Sequence, residues 1–325
     1  MNRKLILAAS FCLAACSSDP SYTPYKEAQK LGGQMIPAQT LNNGRIAYMQ
    51  YCRACHGEKG DGNGPAAPGL RPPPRNFTIG EFKFAGVLEG KLPRDEDLVR
   101  IVKRGLHGTA MLPWEVPDHE LGEIIQYLKT LSDKWKEEDA VGKPVIAAAD
   151  TWGEARKAAA VERGKKVYHG FAQCLSCHAA YATKQEIFDA SKELTGNGTT
   201  DFRDQMYQPE IKETDYPLDP AKAEGPKHKV LPPDFLFSEL RSIHKDTELG
   251  DIYRLLVSGV TGAAMPAWDP ESMPDKTNDV WALAYYIRSL TDMKGTTAAT
   301  RLRTALAAQP AFVPPAEAVP APVTP

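Results

Sequence analysis

The sequence has neither an excess of charge of one sign nor a long hydrophobic run. Its 39 Lys and Arg residues are balanced by 41 Asp and Glu residues, whereas a general nucleic-acid binder needs a basic surface that displaces counterions. No apolar run approaches the roughly 18–20 residues of a transmembrane helix. Only six cysteines occur in 325 residues, too few for a disulfide-dense scaffold. These absences favour a globular protein with no nucleic acid among its partners. The length of 325 residues predicts about two domains.

Residues 1–15 have the pattern of a secretory signal peptide, with basic Arg3 and Lys4 before an apolar run that ends at Ala15. The last residues before Cys16 resemble a bacterial lipobox, in which Cys16 becomes the lipidated N-terminus; ordinary cleavage after Ala15 is the alternative. We therefore expect export to the periplasmic side and a lipid anchor in a bacterial membrane. Ser17 does not resemble an inner-membrane retention signal, which favours the outer membrane.

Three other segments are expected to lie outside the two folded regions. Residues 16–43 are polar, contain scattered Pro and Gly, and show no helical periodicity, which predicts a lipidated tether. Residues 136–154 are expected to link two folded regions, 44–135 and 155–294. Residues 295–325 are rich in Ala and Pro, which predicts a disordered tail.

Of the other five cysteines, Cys12 lies inside the predicted signal peptide, and the remaining four form two C-x-x-C-H motifs, at 52–56 and 174–178. This motif is the attachment site of c-type haem, in which two thiols add to the vinyl groups and the histidine is the proximal iron ligand. A thioredoxin-like pair would need a βαβ context, a zinc site would need further ligands, and a disulfide would not explain the two histidines. We predict two covalently bound haem c groups, held through thioethers at Cys52, Cys55, Cys174 and Cys177, with His56 and His178 on the irons.

The two halves of the chain repeat a series of segments in the same order. A Gly-to-Tyr segment precedes each motif, at 44–48 and 164–168. A methionine-bearing segment follows, at 105–114 and 259–268. Apolar residues at helical spacing then predict a final helix at about 121–131 and 280–290. Shorter helices are expected at about 95–104 and 247–258, ending at Gly105 and Gly259.

With this order of segments, each half resembles a class I c-type cytochrome domain. The resemblance implies an all-α fold of two tandem domains, 44–135 and 155–294, in which the first and last helices of each domain cross. The small and aromatic residues expected at these crossings are Gly44, Tyr48 and Tyr127, and Gly164, Tyr168 and Tyr286. The second half departs from the family pattern by an insertion at about 181–230, which either shields the haem, binds a partner or is a neutral surface loop.

The resemblance also implies the sixth iron ligands, Met111 and Met265, whose thioethers would close the irons to added ligands and raise their potentials. The weaker candidates are His107, His228 and His244, together with His169, which is expected at the surface, and Met206 and Met273, which lack the loop context. Pro68 resembles the family proline whose carbonyl accepts the proximal Nδ1–H. The indoles of Trp114 and Trp268 either reach a haem propionate or simply pack.

These expectations describe an electron-transfer lipoprotein that cycles Fe(II) and Fe(III) at two haems and transforms no substrate. Its partners would be a redox donor and an acceptor protein, with the chain either independent or a cytochrome subunit of a membrane oxidase or dehydrogenase. The alternative is a dihaem peroxidase-type enzyme, in which one haem opens its distal side. The methionine segment in both halves argues against that alternative.

Overall fold

The computed structural model describes residues 22–217, 227–244, 246 and 249–315. Within these ranges the protein is helix-rich, as the expected all-α class requires, with two short two-stranded antiparallel sheets that were not predicted. In chain order the elements are β1 (Gln29–Leu31), β2 (Gln34–Ile36), α1 (Ala38–Tyr51), α2 (Arg53–His56), α3 (Asp95–Arg104), α4 (Asp118–Lys129), α5 (Lys157–Lys166), α6 (Lys184–Thr195), β3 (Lys212–Pro217), β4 (Lys227–Val230), α7 (Leu249–Ser258), α8 (Lys276–Asp292) and α9 (Thr297–Ala307).

The first half of the described chain, residues 22–135, is organised by the crossing of α1 and α4. The helices approach closely because Gly44 has no side chain: a Cβ there would lie 2.0 Å from the Glu123 carbonyl oxygen. The Tyr48 and Tyr127 rings pack beside this crossing, with centroids 5.3 Å apart. Both rings belong to one buried hydrophobic cluster, which also contains the fully buried Leu121.

The second half, residues 155–315, repeats this crossing with α5 and α8. A Cβ on Gly164 would lie 2.0 Å from the Ala282 carbonyl oxygen, and the Tyr168 and Tyr286 rings are 5.6 Å apart. These tyrosines belong to a second buried hydrophobic cluster. The residues predicted at the two crossings therefore lie where the repeat placed them.

The shorter helices α3 and α7 end as the sequence predicted, because each is followed by a glycine in the left-handed region. Gly105 has φ 67° and Gly259 has φ 68°, a conformation that disfavours residues with a Cβ. A Cβ on Gly105 would also lie 2.6 Å from the Pro113 nitrogen. The two glycines thus begin two similar loops, each of which carries a methionine.

The predicted tether and tail are both wrong over the residues that the structure describes. The tether's described part forms β1, β2 and the start of α1, and its Leu31 and Ile36 are buried in the first cluster. In the tail, α9 buries Ala299 and Leu306. Hydrophobic burial fixes both segments, so neither is a free coil. Residues 16–21 and 316–325 lie outside the described residues.

The insertion at 181–230 is not a neutral surface loop. Its helix α6 begins at a capping box formed by Thr183 and Glu186 and buries Ile187 and Phe188. Met206, one of the minor ligand candidates, is 1% exposed in the second cluster. The insertion therefore contributes core residues to the second half.

Helix α9 closes over this insertion. The Arg303 guanidinium donates to the Tyr207 carbonyl and pairs with Asp234. The Phe312 ring, in the segment after α9, lies 5.5 Å from Phe202 and 5.8 Å from Phe188. The predicted end of the second domain at residue 294 therefore lies too early.

The predicted linker is fixed to the first half by backbone hydrogen bonds and to the second half by a hydrogen bond from the Trp281 side chain. Gly142 N–H donates to the Leu92 carbonyl at 2.9 Å, and Val145 N–H donates to the Gly86 carbonyl at 2.8 Å. Farther along, the Ala148 carbonyl accepts the Trp281 indole N–H at 3.1 Å. Residues 136–154 are therefore an ordered connection. Every helix among the described residues is too short or too polar to span a bilayer.

Replacing Gly44 by Ala tests the helix crossing, because the added Cβ meets the Glu123 backbone. We expect the free energy of unfolding to fall by about 2–3 kcal/mol, as for an overpacked core. The matched control is Gly122→Ala on α4, where a Cβ meets nothing within 4 Å and helix propensity predicts a gain of about 0.5–1 kcal/mol. Urea unfolding of both variants gives the comparison, and equal effects would contradict the crossing.

Candidate functional site

The two C-x-x-C-H segments fold into the same tight turn. The His56 N–H donates to the Cys52 carbonyl at 3.0 Å, and the His178 N–H donates to the Cys174 carbonyl at 2.8 Å. In the first half this turn follows α1 directly, since the Cys52 N–H donates to the Tyr48 carbonyl at 2.8 Å. Each turn therefore keeps two thiols and one imidazole within a single turn of backbone.

Both histidines of these motifs are held through Nδ1. The Nδ1 atom of His56 lies 3.0 Å from the Arg75 carbonyl oxygen, and that of His178 lies 3.0 Å from the Pro233 carbonyl oxygen. A carbonyl oxygen only accepts, so Nδ1 carries the proton and Nε2 carries the lone pair. Burial lowers the pKa of both imidazoles, which favours the neutral form that binds a metal.

The carbonyl beside His56 corrects the prediction made for Pro68. Pro68 is exposed, and Arg75 accepts the hydrogen bond in its place. In the second half, where no counterpart was predicted, Pro233 does so. The internal repeat contained the signal, because aligning Phe77 with Phe235 also aligns Arg75 with Pro233.

A phenylalanine stacks on each histidine, and sequence reasoning assigned neither of them a role. The Phe77 ring lies 4.5 Å from the His56 ring with an interplanar angle of 20°. The Phe235 ring lies 4.9 Å from the His178 ring with an angle of 21°. Because each ring follows the accepting carbonyl by two residues, one short segment fixes both the hydrogen bond and the plane of its imidazole.

Tyrosines of the crossing helices hold the backbone just after each motif. The Tyr48 hydroxyl donates to the Gly57 carbonyl at 2.8 Å, and the Tyr168 hydroxyl donates to the Ala179 carbonyl at 2.9 Å. Both rings are buried, at 0% and 1% exposure. The helix crossing and the histidine turn are thus joined by a buried hydrogen bond in each half.

The four thiols of the two motifs, Cys52, Cys55, Cys174 and Cys177, are partly buried. Burial raises the pKa of Cys52 and Cys174 to about 12, whereas a reactive cysteine has a lowered pKa. Half-buried thiols on the same turn as a metal-binding tautomer of histidine are the arrangement that covalent haem attachment uses, so both motifs fit haem c.

Met111 and Met265 lie in matching loops that follow α3 and α7. The Leu106 N–H donates to the Met111 carbonyl at 2.7 Å, and the Val260 N–H donates to the Met265 carbonyl at 3.1 Å. Both methionines are half-buried. In the second half, Met265 and Cys174 pack against the same hydrophobic cluster.

The two tryptophans hold equivalent backbone positions and differ in exposure. Trp114 N–H donates to the Val102 carbonyl at 3.0 Å, and Trp268 N–H donates to the Leu256 carbonyl at 3.1 Å. Trp268 packs against the second cluster, whereas Trp114 is 44% exposed. The packing of Trp268 agrees with one of its two expected roles. The other expected role, a hydrogen bond from the indole to a haem propionate, stays a prediction for both tryptophans.

Three positively charged side chains, Lys83, Arg75 and Arg241, lie near one another beside the first motif. Burial, together with the nearby Arg75 and Arg241 guanidinium groups, lowers the pKa of Lys83 to about 8. Burial also lowers the pKa of Arg75, which Glu81 partly opposes. Arg241 belongs to the second half, so this positive region spans the two halves of the chain.

His169 is buried, which corrects its expected surface position. It is 1% exposed and lies in a π-helical turn, Val167–Phe171, that extends α5. Its Nδ1–H donates to the Lys165 carbonyl at 2.7 Å, and its Nε2 accepts the Tyr181 N–H at 3.0 Å. Burial lowers its pKa to about 4. A neutral His169 therefore ties α5 to the chain that follows the second motif.

Residues 39–128 match the protein-family model described as cytochrome C oxidase, cbb3-type, subunit III. The matched segment runs from α1 into α4 and contains Cys52, Cys55, His56 and Met111. The first half of the chain is thus similar to a cytochrome c family domain over these residues. The similarity implies covalently bound haem c and suggests haem-based electron transfer.

The fold is similar to that of a chain in the reducing HAO-like protein complex of Kuenenia stuttgartiensis. The two chains are 24% identical, with a TM-score of 0.57, and the similarity covers 76% of this chain and 95% of that chain. At this identity the likeness concerns the fold. A search of curated proteins finds no match.

The pKa of His169 predicts a loss of stability in acid. Between pH 6.5 and about 4 the unfolded chain binds a proton that the folded state does not bind, so the free energy of unfolding falls as the pH falls through this window. The expected loss is about 3 kcal/mol. In His169→Gln, whose side chain does not titrate, the difference in urea midpoint between pH 7 and pH 4 should shrink.

The control is His119→Gln, because the His119 side chain is 78% exposed. This variant should keep the wild-type difference between pH 7 and pH 4. Equal pH dependence in His169→Gln and wild type would show that His169 does not contribute to acid sensitivity.

Proposed function

We propose that the protein is a dihaem c-type cytochrome that transfers single electrons by Fe(II)/Fe(III) cycling. The observation that carries the proposal is one imidazole environment present twice: an Nδ1–H held by a carbonyl, a stacked phenylalanine and two thiols on the same turn. The match of residues 39–128 to a cytochrome c family model supports this chemistry for the first half. The matching geometry at His178 supports a second haem in a second, tandem cytochrome c domain.

In this proposal each half attaches its own haem through two thiols and binds the iron through one imidazole. The haem supplies the redox-active iron. The protein holds each histidine neutral and fixed in orientation, and its aromatic packing limits access of water to the imidazole. The residues are Cys52, Cys55 and His56 for the first haem, and Cys174, Cys177 and His178 for the second.

Met111 and Met265 are the proposed sixth ligands. Their support is the equivalence of the two loops, each of which begins at a left-handed glycine and is closed by a hydrogen bond to the methionine carbonyl. A thioether at this position favours the reduced iron and raises the potential. It also keeps the ligand set the same in both oxidation states, which suits an electron carrier more than a peroxidase.

The proposed partners are a redox donor and an acceptor protein. The family model matched by residues 39–128 is named for a cytochrome c oxidase subunit, which supports a role as the cytochrome subunit of a membrane oxidase over a role beside a dehydrogenase. We place the chain on the periplasmic side of a bacterial membrane, anchored through lipid on Cys16. Support for the anchor is the signal pattern and the lipobox-like residues before Cys16.

A count of covalent haem tests the proposal. Wild-type protein made in a host with a c-type haem maturation system should contain two haems per chain by the pyridine haemochrome assay. Replacing Cys52 and Cys55 together by Ala, or Cys174 and Cys177 together, should leave one haem. The control is Ser176→Ala, which changes the second motif without removing a thiol and should keep two.

Two findings would contradict the proposal. A single haem in the wild type would remove the second site. A high-spin, five-coordinate haem that reacts rapidly with peroxide would favour the peroxidase-type enzyme over the carrier.

Lipid attachment is tested by metabolic labelling. Cells expressing the wild-type protein with labelled palmitate should yield labelled protein in the membrane fraction, because acylation at Cys16 supplies more than one chain. Cys16→Ser should be unlabelled. Cys12→Ser, which alters the predicted signal peptide alone, should remain labelled, and an unlabelled wild type would refute the anchor.

A further inference from the structure

The first methionine loop, residues 105–111, begins with a turn that lies against the second half of the chain. The backbone N–H of His107 donates to the Arg241 carbonyl at 2.9 Å. The His107 and His244 rings lie 4.1 Å apart, and the His244 ring also donates a hydrogen bond to the Gly105 carbonyl. Residues 241–244 of the second half therefore hold the start of this loop.

The second methionine loop, residues 259–265, is held by the first half in return. Thr261 is the repeat counterpart of His107, and its Oγ1 accepts the N–H of Gly90 at 3.2 Å. The Ser258 carbonyl, just before the loop, accepts the N–H of Glu89 at 2.9 Å. Ser258 and Thr261 are 1% and 7% exposed, so the second-half partner of each contact is buried, whereas Glu89 and Gly90 are exposed.

Hydrogen bonds inside each loop connect the held turn to the methionine. In the first loop, the Leu106 N–H reaches the Met111 carbonyl at 2.7 Å, and the Thr109 hydroxyl bridges the Leu106 carbonyl and the Met111 N–H at 2.8 and 3.0 Å. In the second, the Val260 N–H reaches the Met265 carbonyl at 3.1 Å. A displaced turn would therefore displace the methionine backbone.

We propose that each half of the chain positions the methionine loop of the other half, so that the sixth ligand of each iron depends on the contact between the halves. The inference rests on the proposed function, because it concerns Met111 and Met265 as iron ligands. A methionine held less firmly competes less well with an added ligand and stabilises the reduced iron less. His244 and Thr261 are thus positioning residues that act through the loops.

The test uses the full-length protein with haem bound and the variants His244→Ala and Thr261→Val. Potentiometric titration gives the two haem potentials, and Met111→Ala and Met265→Ala identify which potential belongs to which haem. His244→Ala should lower the first potential and raise imidazole affinity at the first haem about fivefold, the factor of one lost hydrogen bond. Thr261→Val should produce the same changes at the second haem.

His244→Asn retains a donor for the Gly105 carbonyl and should lie closer to wild type than His244→Ala. His119→Ala, at an exposed position, should change neither haem. Wild-type potentials and imidazole affinities in both His244→Ala and Thr261→Val would overturn the inference, as would equal changes at both haems in each variant. If His244→Ala does not fold, the haem potentials and imidazole affinities of His244→Asn and Thr261→Val test the inference instead. A wild type without two haems contradicts the proposed function instead.

Discussion

The close approach of two helix backbones is the constraint on which the rest of each half depends. At Gly44 and Gly164, a single added carbon would lie 2.0 Å from a carbonyl oxygen of the crossing helix. The crossing determines where α1 delivers Cys52, and its tyrosines fix the backbone just after each motif. Thiols and imidazole are therefore positioned from the hydrophobic core outward.

Features defined by local sequence were predictable. Some features need one residue type at one position, and the internal repeat contains each of them twice. They are the C-x-x-C-H motifs, the left-handed glycines after α3 and α7, and the glycines and tyrosines of the helix crossings. The end of α3 at Gly105 follows because a glycine relieves the left-handed strain that any other residue would incur there. Such features depend on residues that are close together in the sequence, so the spacing of those residues is enough to predict them.

Features decided by distant contacts were not predictable from spacing. The carbonyl that holds His56 belongs to Arg75, because the chain between them loops out before returning; the resemblance to the family proline had favoured Pro68. Average composition hid α9, whose Ala-rich residues precede the prolines and which buries Ala299 and Leu306. His169, in the π-helical turn, combines a polar side chain with complete burial, and the partners that permit this are Lys165 of α5 and Tyr181 of a later loop.

The two histidines have the same hydrogen-bond and stacking geometry, but the charges beside them differ. The carbonyl role needs only backbone, which is why Arg75 serves His56 and a proline serves His178. Burial lowers the pKa of both imidazoles, but the Arg75 charge adds to this lowering at His56, whereas the Asp234 carboxylate opposes it at His178. Because charge beside a ligand tunes the metal it holds, the repeat keeps geometry constant and leaves the neighbouring side chains to distinguish the two sites.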